Sequence, residues 1–260
     1  MIKNINKFLD IIRFLKYTYK QVNYIFKKNE FKDITDLSDQ LSFNGCVKFE
    51  NFLTKELCEK IRNSVNNFIA TNSDKVVLLS GFDYRIYSFN KAMIDVQVFL
   101  ENELLKKILS NYLKEKLKFS FTLAQKTIYR ENNQGSGGGW HRDNTIYKYP
   151  KALVYLSDVT EKNGCFQYIK KTHKIKSIIE LIINYNIESS KTLFKDLEIE
   201  KKFSSDRKYT IEKFPGKAGT MILFDGRGIH RGSPLEAGER FSLTNYYYFQ
   251  PGGKDFAHIK

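Results

Sequence analysis

The sequence predicts a mainly β protein in which helices flank a jelly-roll core. The first half of the chain shows helical periodicity, whereas after residue 117 the apolar residues recur with a period close to two, as in strands. Turns rich in Gly separate several of these short strands, which is typical of antiparallel jelly rolls. A chain of 260 residues suits one domain with a sizeable core, or one domain with an appendage.

Residues 1–40 are predicted to form a basic amphipathic helical segment that precedes a core domain of residues 41–260. Apolar side chains follow helical spacing at Ile5, Phe8, Leu9, Ile12, Leu15, Tyr19, Val22 and Phe26. Residues 1–32 contain eight basic and two acidic residues. Such a helix could lie on an anionic membrane surface, or it could pack on the domain or on a second copy of the chain.

The first part of the core domain is expected to contain one strand and two helices. Residues 45–49 form the strand, and Thr54 can cap a helix that places Leu57 and Ile61 on one face. A second helix is expected between Leu100 and Leu113, whereas residues 73–96 show no clear periodicity.

The second part of the core domain is expected to consist of strands. These are residues 119–130, 151–157, 164–169, 220–224 and 241–249. Residues 132–139 form a Gly-rich loop after the first of them. A charged insertion at about 176–210, together with a loop at 79–93, is expected to form the lid and rim of a pocket. Basic residues in these two segments, such as Arg85 and Lys191, would suit a substrate that carries phosphate or carboxylate, or simply an exposed charged loop.

Three side chains form a candidate metal site. In a strand, side chains at positions i and i+2 point to the same side, so His141 and Asp143 converge and Arg142 faces away. His230 follows the apolar strand 220–224. Two histidines and one carboxylate can hold Fe(II) on one face of its coordination sphere and leave positions open for chemistry.

An arginine follows the last candidate ligand after a turn-rich stretch. Arg240 opens the returning strand, so it can share an interior face with His230. A guanidinium at this position could bind the distal carboxylate of a 2-oxo acid such as 2-oxoglutarate. Ser242 shares that face at i+2 and could add one hydrogen bond.

These residues and their neighbours resemble those of the phytanoyl-CoA dioxygenase-like family. The matching segments are Trp140-His-Arg-Asp143, Asn163-Gly164, Thr172-His173-Lys174, Gly219 to Asp225, His230-Arg-Gly232 and Arg240. The resemblance covers roughly residues 44–250. It implies a double-stranded β-helix (cupin-like) core and an oxygenase that depends on Fe(II), 2-oxoglutarate and O2.

The resemblance also implies roles for individual residues. His141, Asp143 and His230 would bind iron, Arg240 would bind 2-oxoglutarate, and His173 would be structural. Gln125 and Tyr129 would contact the co-substrate from the strand before the Gly-rich loop; the alternative for both is ordinary packing inside the barrel. Related halogenases have a small residue in place of the carboxylate, so Asp143 favours hydroxylation. Many family members have Pro-Gly-Ser-His where this chain has Lys170-Lys-Thr-His173, so that turn is expected to differ.

Composition gives expectations about partners and location. The formal net charge of +14 favours anionic partners. The three cysteines form no paired motif, which fits a reducing compartment. No apolar stretch is long enough to span a membrane and no signal peptide is evident. We therefore expect a cytoplasmic protein, with peripheral contact to the inner face of a membrane through residues 1–32 as an option.

The expected substrate is a small or carrier-linked anionic molecule, with a surface glycan, a sugar or a lipid-linked intermediate as the leading class. A soluble metabolite, an acyl-CoA or a carrier-bound amino acid remains open. Two other functions also remain: a non-catalytic cupin-like binding module, and a nucleic-acid-binding protein that uses the basic surface. The sequence has no nucleic-acid-binding motif, so no nucleic acid is expected.

Overall fold

The computed structural model describes residues 2–22, 35–115, 117 and 119–248. Its α-helices are α1 (Ile2–Val22), α2 (Thr35–Asn44), α3 (Lys55–Thr71), α4 (Phe89–Ala92), α5 (Gln97–Leu100), α6 (Glu103–Leu113), α7 (Ile175–Tyr185) and α8 (Asp196–Phe203). Its strands are β1 (Cys46–Phe49), β2 (Val77–Leu79), β3 (Asp83–Ile86), β4 (Phe119–Ile128), β5 (Trp140–His141), β6 (Pro150–Tyr155), β7 (Phe166–Ile169), β8 (Leu193–Phe194), β9 (Ile211–Phe214), β10 (Met221–Asp225), β11 (His230–Gly232) and β12 (Glu239–Tyr248).

Within the described residues, the strands form two antiparallel sheets. The large sheet has seven strands in the order β1-β10-β6-β12-β4-β3-β2, and the small sheet has five in the order β8-β5-β11-β7-β9. Leu153 and Phe224 of the large sheet share a buried apolar cluster with Phe166 and Tyr168 of the small sheet. The two sheets therefore enclose a common core, and the predicted jelly roll is confirmed.

Strand β12 has one face toward the space between the sheets and the other toward the helices outside. Phe241 and Leu243 pack in a cluster with Ile61 of α3 and Ile108 of α6. Because successive side chains of a strand point to opposite faces, Arg240 and the residues at even numbers after it point to the space between the sheets. Polar side chains can thus line the interior, while the helices cover the apolar outer face.

Helix α3 shows how the local sequence sets an element. The hydroxyl of Thr54 accepts a hydrogen bond from the Leu57 amide at 3.2 Å and caps the first turn. Such a cap stabilises a helix by about 1 kcal/mol. Cys58, Ile61 and Val65 follow helical spacing and are buried. The predicted cap and helical face are confirmed.

The two segments that were expected to form the lid and rim both contain strands. Residues 79–93 contain β3, which pairs with β4 and sets Arg85 opposite Gln125 inside the large sheet. The insertion contributes β8, which extends the small sheet beside His141. Strands of two to four residues are too short to show a period of two, so the periodicity of the sequence does not indicate them.

Helix α1 packs against the insertion. Phe14 is buried with Ile178 and Ile182 of α7, and Lys7 donates a hydrogen bond to the Ile183 carbonyl at 2.8 Å. The opposite side of α1 leaves five apolar residues exposed: Ile5, Phe8, Leu9, Ile12 and Leu15. Residues 23–34, with Phe26 of the predicted stripe, lie outside the described residues. Among the helices that the structure describes, none is both long and apolar enough to cross a membrane.

Candidate metal centre and co-substrate site

Sheet register brings the three candidate ligands together. His141 on β5 lies directly opposite His230 on β11, and their ring centroids are 4.3 Å apart. Asp143 follows two residues after the end of β5. One ligand atom from each of these three residues can be chosen so that all lie within 4.8 Å of one another.

Backbone carbonyls fix the orientation of both imidazoles. His141 Nδ1 lies 2.9 Å from the Gly139 carbonyl, and His230 Nδ1 lies 2.8 Å from the Gly228 carbonyl. A carbonyl can only accept, so each Nδ1 carries the proton and each Nε2 keeps its lone pair. Burial lowers the pKa of His141, and it lowers that of His230 to about 3. Both rings are therefore neutral near pH 7, as metal ligands must be.

The Asp143 carboxylate is held at one oxygen. Its Oδ1 accepts a hydrogen bond from Lys151 Nζ at 2.7 Å. Its Oδ2 lies 3.8 Å from His230 Nε2 and has no hydrogen-bond partner among the described residues. Burial alone would raise the pKa of this carboxyl, but Lys151, with smaller contributions from His230 and His141, holds the pKa below its usual value. Asp143 is therefore ionised with one oxygen available.

Glycines leave the room that these ligands need. A Cβ at Gly226 would lie 3.0 Å from Asp143 Cγ and closer still to Oδ2. A Cβ at Gly137, in the Gly-rich loop, would lie 3.0 Å from His141 Nδ1 and 3.1 Å from its Nε2. Two neutral imidazoles and one ionised carboxylate with a free oxygen match the donor set of non-haem Fe(II) centres. The residues present therefore fit such an ion.

A second polar group lies on the interior face of β12. Arg240 is 1% exposed and donates from Nη1 to the Gly164 carbonyl. Ser242 is also buried. Among the described residues, Arg240 Nε and Ser242 Oγ have no hydrogen-bond partner. A buried polar atom without a partner costs about 1–3 kcal/mol, so these atoms are well suited to bind a polar ligand.

The structure separates the two residues that were predicted on β4. Gln125 is buried opposite Ser242 in the β4–β12 register. Its amide donates to Asp83 Oδ1 at 2.7 Å and to Ser136 Oγ at 2.6 Å. Tyr129 lies one residue beyond the end of β4 and is 48% exposed. The structure therefore groups Gln125 with Arg240 and Ser242, but it does not bring Tyr129 into this buried set.

Sequence reasoning missed Lys151 and Asp83 near the site and placed Arg85 in a rim loop. Lys151 on β6 is 6% exposed. Arg85 donates two hydrogen bonds to Asp83 Oδ2, at 2.8 and 3.0 Å, and its charge contributes to lowering the pKa of His141. Asp83 and Arg85 also line a cavity of about 490 Å³ beside the Gly-rich loop. A strand of four residues shows no clear period in the sequence, and the position of Lys151 beside Asp143 follows only from the sheet register.

Arg142, between the two ligands of the first motif, points away from the metal cluster. Its guanidinium donates to the carbonyls of Lys191 at 2.7 Å and Glu188 at 2.5 Å. The neighbouring Ser189 donates from its amide and its hydroxyl to the Asp10 carboxylate of α1, at 2.9 and 2.6 Å. The back of the metal motif is thus tied to the insertion and, through it, to α1.

Comparison with known proteins identifies the family. The profile of the phytanoyl-CoA dioxygenase family matches residues 42–240. The chain belongs to this family, and it is an Fe(II)- and 2-oxoglutarate-dependent oxygenase. The comparison with curated protein sequences gives no significant match.

Solved structures share the fold at low sequence identity. The 2-oxoglutarate-dependent epimerase SnoN of nogalamycin biosynthesis is 15% identical with a TM-score of 0.62, over 86% of this chain and 87% of SnoN. HygX from Streptomyces hygroscopicus, with nickel, 2-oxoglutarate and hygromycin B bound, is 14% identical with a TM-score of 0.56, over 84% and 86% of the two chains. EctD from S. alaskensis, with iron bound, is 15% identical with a TM-score of 0.58, over 85% and 78%.

Proposed function

We propose that this oxygenase hydroxylates an unactivated C–H bond of a small or carrier-linked anionic substrate. In this proposal His141, Asp143 and His230 hold Fe(II), and Arg240 holds 2-oxoglutarate. The observation that carries the proposal is the convergence of the three ligand atoms within 4.8 Å beside an Asp143 oxygen without a hydrogen-bond partner in the described structure. The bound metal supplies the oxidising chemistry, with O2 consumed and 2-oxoglutarate converted to succinate and CO2.

The residues of this chain bind and orient the co-substrate. The Arg240 guanidinium is planar and buried, so it can donate two parallel hydrogen bonds to a carboxylate. Ser242 Oγ lies on the same interior face and can supply a further hydrogen bond, whereas the amide hydrogens of Gln125 are already donated to Asp83 and Ser136. The two sheets exclude water around these groups, and this strengthens each electrostatic contact.

The charge balance of the site supports an anionic substrate. Three cationic side chains, Lys151, Arg85 and Arg240, lie in or beside the site together with the carboxylates of Asp83 and Asp143. The charges of a divalent ion and of the 2-oxoglutarate dianion cancel each other. The three cationic side chains exceed the two carboxylates by one, so one positive charge remains. A buried positive charge favours a substrate with one phosphate or carboxylate near the reacting carbon.

Aromatic side chains beside Lys151 support a substrate with a ring or chain of C–H groups. Phe121 stacks on Tyr246 with ring centroids 4.8 Å apart, and Tyr149 and Tyr248 belong to the same cluster. Flat ring faces offer apolar contact, while the tyrosine hydroxyls can bond to polar groups. This combination suits a sugar, a surface glycan or a lipid-linked intermediate, which is the substrate class that we propose.

The test is coupled turnover. The protein is prepared anaerobically with Fe(II), and sugar nucleotides and lipid-linked glycans are screened for substrate-dependent succinate release. We expect His141→Ala to abolish this release. A binding module would bind a candidate ligand equally well in both proteins and release no succinate from either. DNA binding that weakens steeply with salt, without turnover, would favour the nucleic-acid alternative. Product analysis separates hydroxylation from epimerisation, the activity named for SnoN.

We also propose that the protein works on the cytoplasmic face of an anionic membrane, with the exposed side of α1 in contact with the lipid. Phe8 is 63% exposed and Ile12 is 45% exposed, on a helix whose other side is anchored to α7. A strongly basic chain is attracted to anionic lipids.

Point substitutions test membrane contact more sharply than deletion of α1, because deletion would uncover Ile178 and Ile182. We expect Phe8→Asp to stop co-sedimentation with vesicles that contain phosphatidylglycerol. Asn6→Asp makes the same change in charge at an exposed polar position of α1 and should have a smaller effect. Equal sedimentation of the wild type and the Phe8→Asp variant would refute the contact.

A further inference from the structure

Each of the three metal-binding side chains makes a second contact with the protein. For His141 and His230 this contact is a backbone carbonyl two residues earlier in the chain. For Asp143 it is a side chain, because Lys151 Nζ donates to Oδ1 at 2.7 Å. Groups that hold the far atom of a ligand orient it and tune its basicity. Lys151 is therefore a contact of this kind that substitution can remove directly.

The position of Lys151 Nζ is itself well defined. Lys151 lies on β6, between Phe224 of β10 and Tyr246 of β12 in the register of the large sheet. Its ammonium lies 4.5 Å from the ring centroid of Tyr246 and 5.2 Å from that of Tyr149. An ammonium over aromatic faces is attracted to them, and here the attraction acts in a buried setting. The rings and the sheet thus keep the ammonium beside Oδ1.

The remaining carboxylate oxygen faces the histidines. Asp143 Oδ2 lies 3.8 Å from His230 Nε2 and has no hydrogen-bond partner within the described part of the chain. A carboxylate can bind a metal ion through one oxygen or through both. When Oδ1 is held by an ammonium, only Oδ2 is presented to an ion between the two histidines.

We propose that Lys151 is a positioning residue that holds Asp143 Oδ1 and so presents the Oδ2 atom alone to the metal. This inference rests on the proposed function, since it concerns the same metal centre. Lys151 acts through Asp143, and its removal is expected to alter metal binding before any substrate is added. A role confined to packing would change the stability of the protein but not the surroundings of the ion.

The experiment measures Co(II) binding to the metal-free, full-length protein by calorimetry and by visible absorption. Lys151→Met keeps the length of the side chain but loses the donor. We expect it to weaken Co(II) binding about 10- to 100-fold and to change the Co(II) absorption bands. Lys151→Arg keeps a charged donor and should restore both properties in large part.

Lys126 provides a matched control. It lies 5.1 Å from the ring centroid of Phe241 and pairs with Glu239 at 3.1 Å, so it combines a ring and a carboxylate away from the metal cluster. Lys126→Met should bind Co(II) as the wild type does. Thermal unfolding of every variant shows whether the fold is retained.

The outcomes separate the inference from the proposed function. If His141→Ala loses Co(II) binding but Lys151→Met keeps wild-type affinity and absorption, the positioning role is refuted and the metal centre stands. If His141→Ala binds Co(II) as well as the wild type, the metal centre itself is refuted. If Lys151→Met does not fold, Lys151→Leu, which also lacks a donor, replaces it, and wild-type binding in that variant refutes the inference.

Discussion

Substitution of Gly226 by alanine tests the geometry of the metal centre without removing a ligand. The Gly226 carbonyl accepts the Asp143 amide at 2.8 Å, and the Gly226 amide donates to the Tyr149 carbonyl at 2.8 Å. These bonds fix the backbone on both sides, so an added Cβ cannot move away easily. It would lie 3.0 Å from Asp143 Cγ and 3.1 Å from Tyr149 Cδ1.

The size of the effect follows from these distances. Non-bonded carbon atoms settle at about 3.5–4.0 Å, so Asp143 Cγ must move by roughly 0.5–1.0 Å, and Oδ2, which lies closer to the added Cβ, must move further. Metal–ligand distances tolerate only about 0.2 Å. We therefore expect Gly226→Ala to weaken Co(II) binding by about 100-fold or more. The overpacking should lower the free energy of unfolding by about 1–3 kcal/mol.

A control substitution separates the loss of metal binding from the loss of stability. A Cβ at Gly216, which forms an isolated bridge with Val159, would meet Thr220 side-chain atoms at 2.6–2.7 Å, and none of the proposed ligands is among its nearest neighbours. Gly216→Ala should destabilise the protein to a comparable extent and bind Co(II) normally. Calorimetric titration of both metal-free variants, together with urea unfolding, gives the comparison. Wild-type Co(II) affinity in Gly226→Ala would refute the placement of Asp143.

Three further predictions concern other parts of the molecule. Arg240→Met should weaken 2-oxoglutarate binding by about 100-fold or more, since a buried charged partner is lost, while calorimetry should show Co(II) binding retained. Asp10→Asn should speed hydrogen exchange of the Ser189 amide by about tenfold, because that amide loses a charged acceptor; unchanged exchange would contradict the tie between α1 and the insertion. Burial lowers the pKa of His173 from 6.5 to about 4, so between these values the unfolded chain binds a proton that the folded chain does not. Stability should fall as the pH drops through this window, by about 3 kcal/mol at most, and urea unfolding of His173→Gln should show a shallower dependence.

Much of the metal centre could be predicted because its signals are local. A histidine and an aspartate two residues apart in an extended segment must share a side, whatever the sheet order. Only four histidines occur in the chain, which leaves few accidental partners for His230. The strand that begins near Arg240 also follows from local turn residues, so Arg240 and Ser242 could be placed on one face.

Contacts between strands far apart in sequence could not be predicted in this way. The ion pair of Lys151 with Asp143 depends on where β6 lies relative to β5, and no local pattern encodes this. The prediction for Tyr129 assumed that β4 continues to residue 130. The strand ends at Ile128, so the alternation of side chains along β4 does not fix the direction of Tyr129. Arg85 was assigned to a loop because β3 has only four residues.

The same alternation explains how the site is supported from outside. Arg142 follows His141 and points outward to the carbonyls of the insertion. Arg231 follows His230 and also points outward, where its guanidinium lies 4.5 Å from the Trp140 ring and pairs with Asp196 at 2.8 Å. On β11 the histidine thus points inward and the arginine outward, Arg142 points outward just past the end of β5, and both arginines contact the insertion. Because the backbone of a two- or three-residue strand has few ladder hydrogen bonds of its own, these outer contacts stabilise the positions of the histidines. The insertion therefore stabilises the metal centre by holding its strands from the side opposite to the ion.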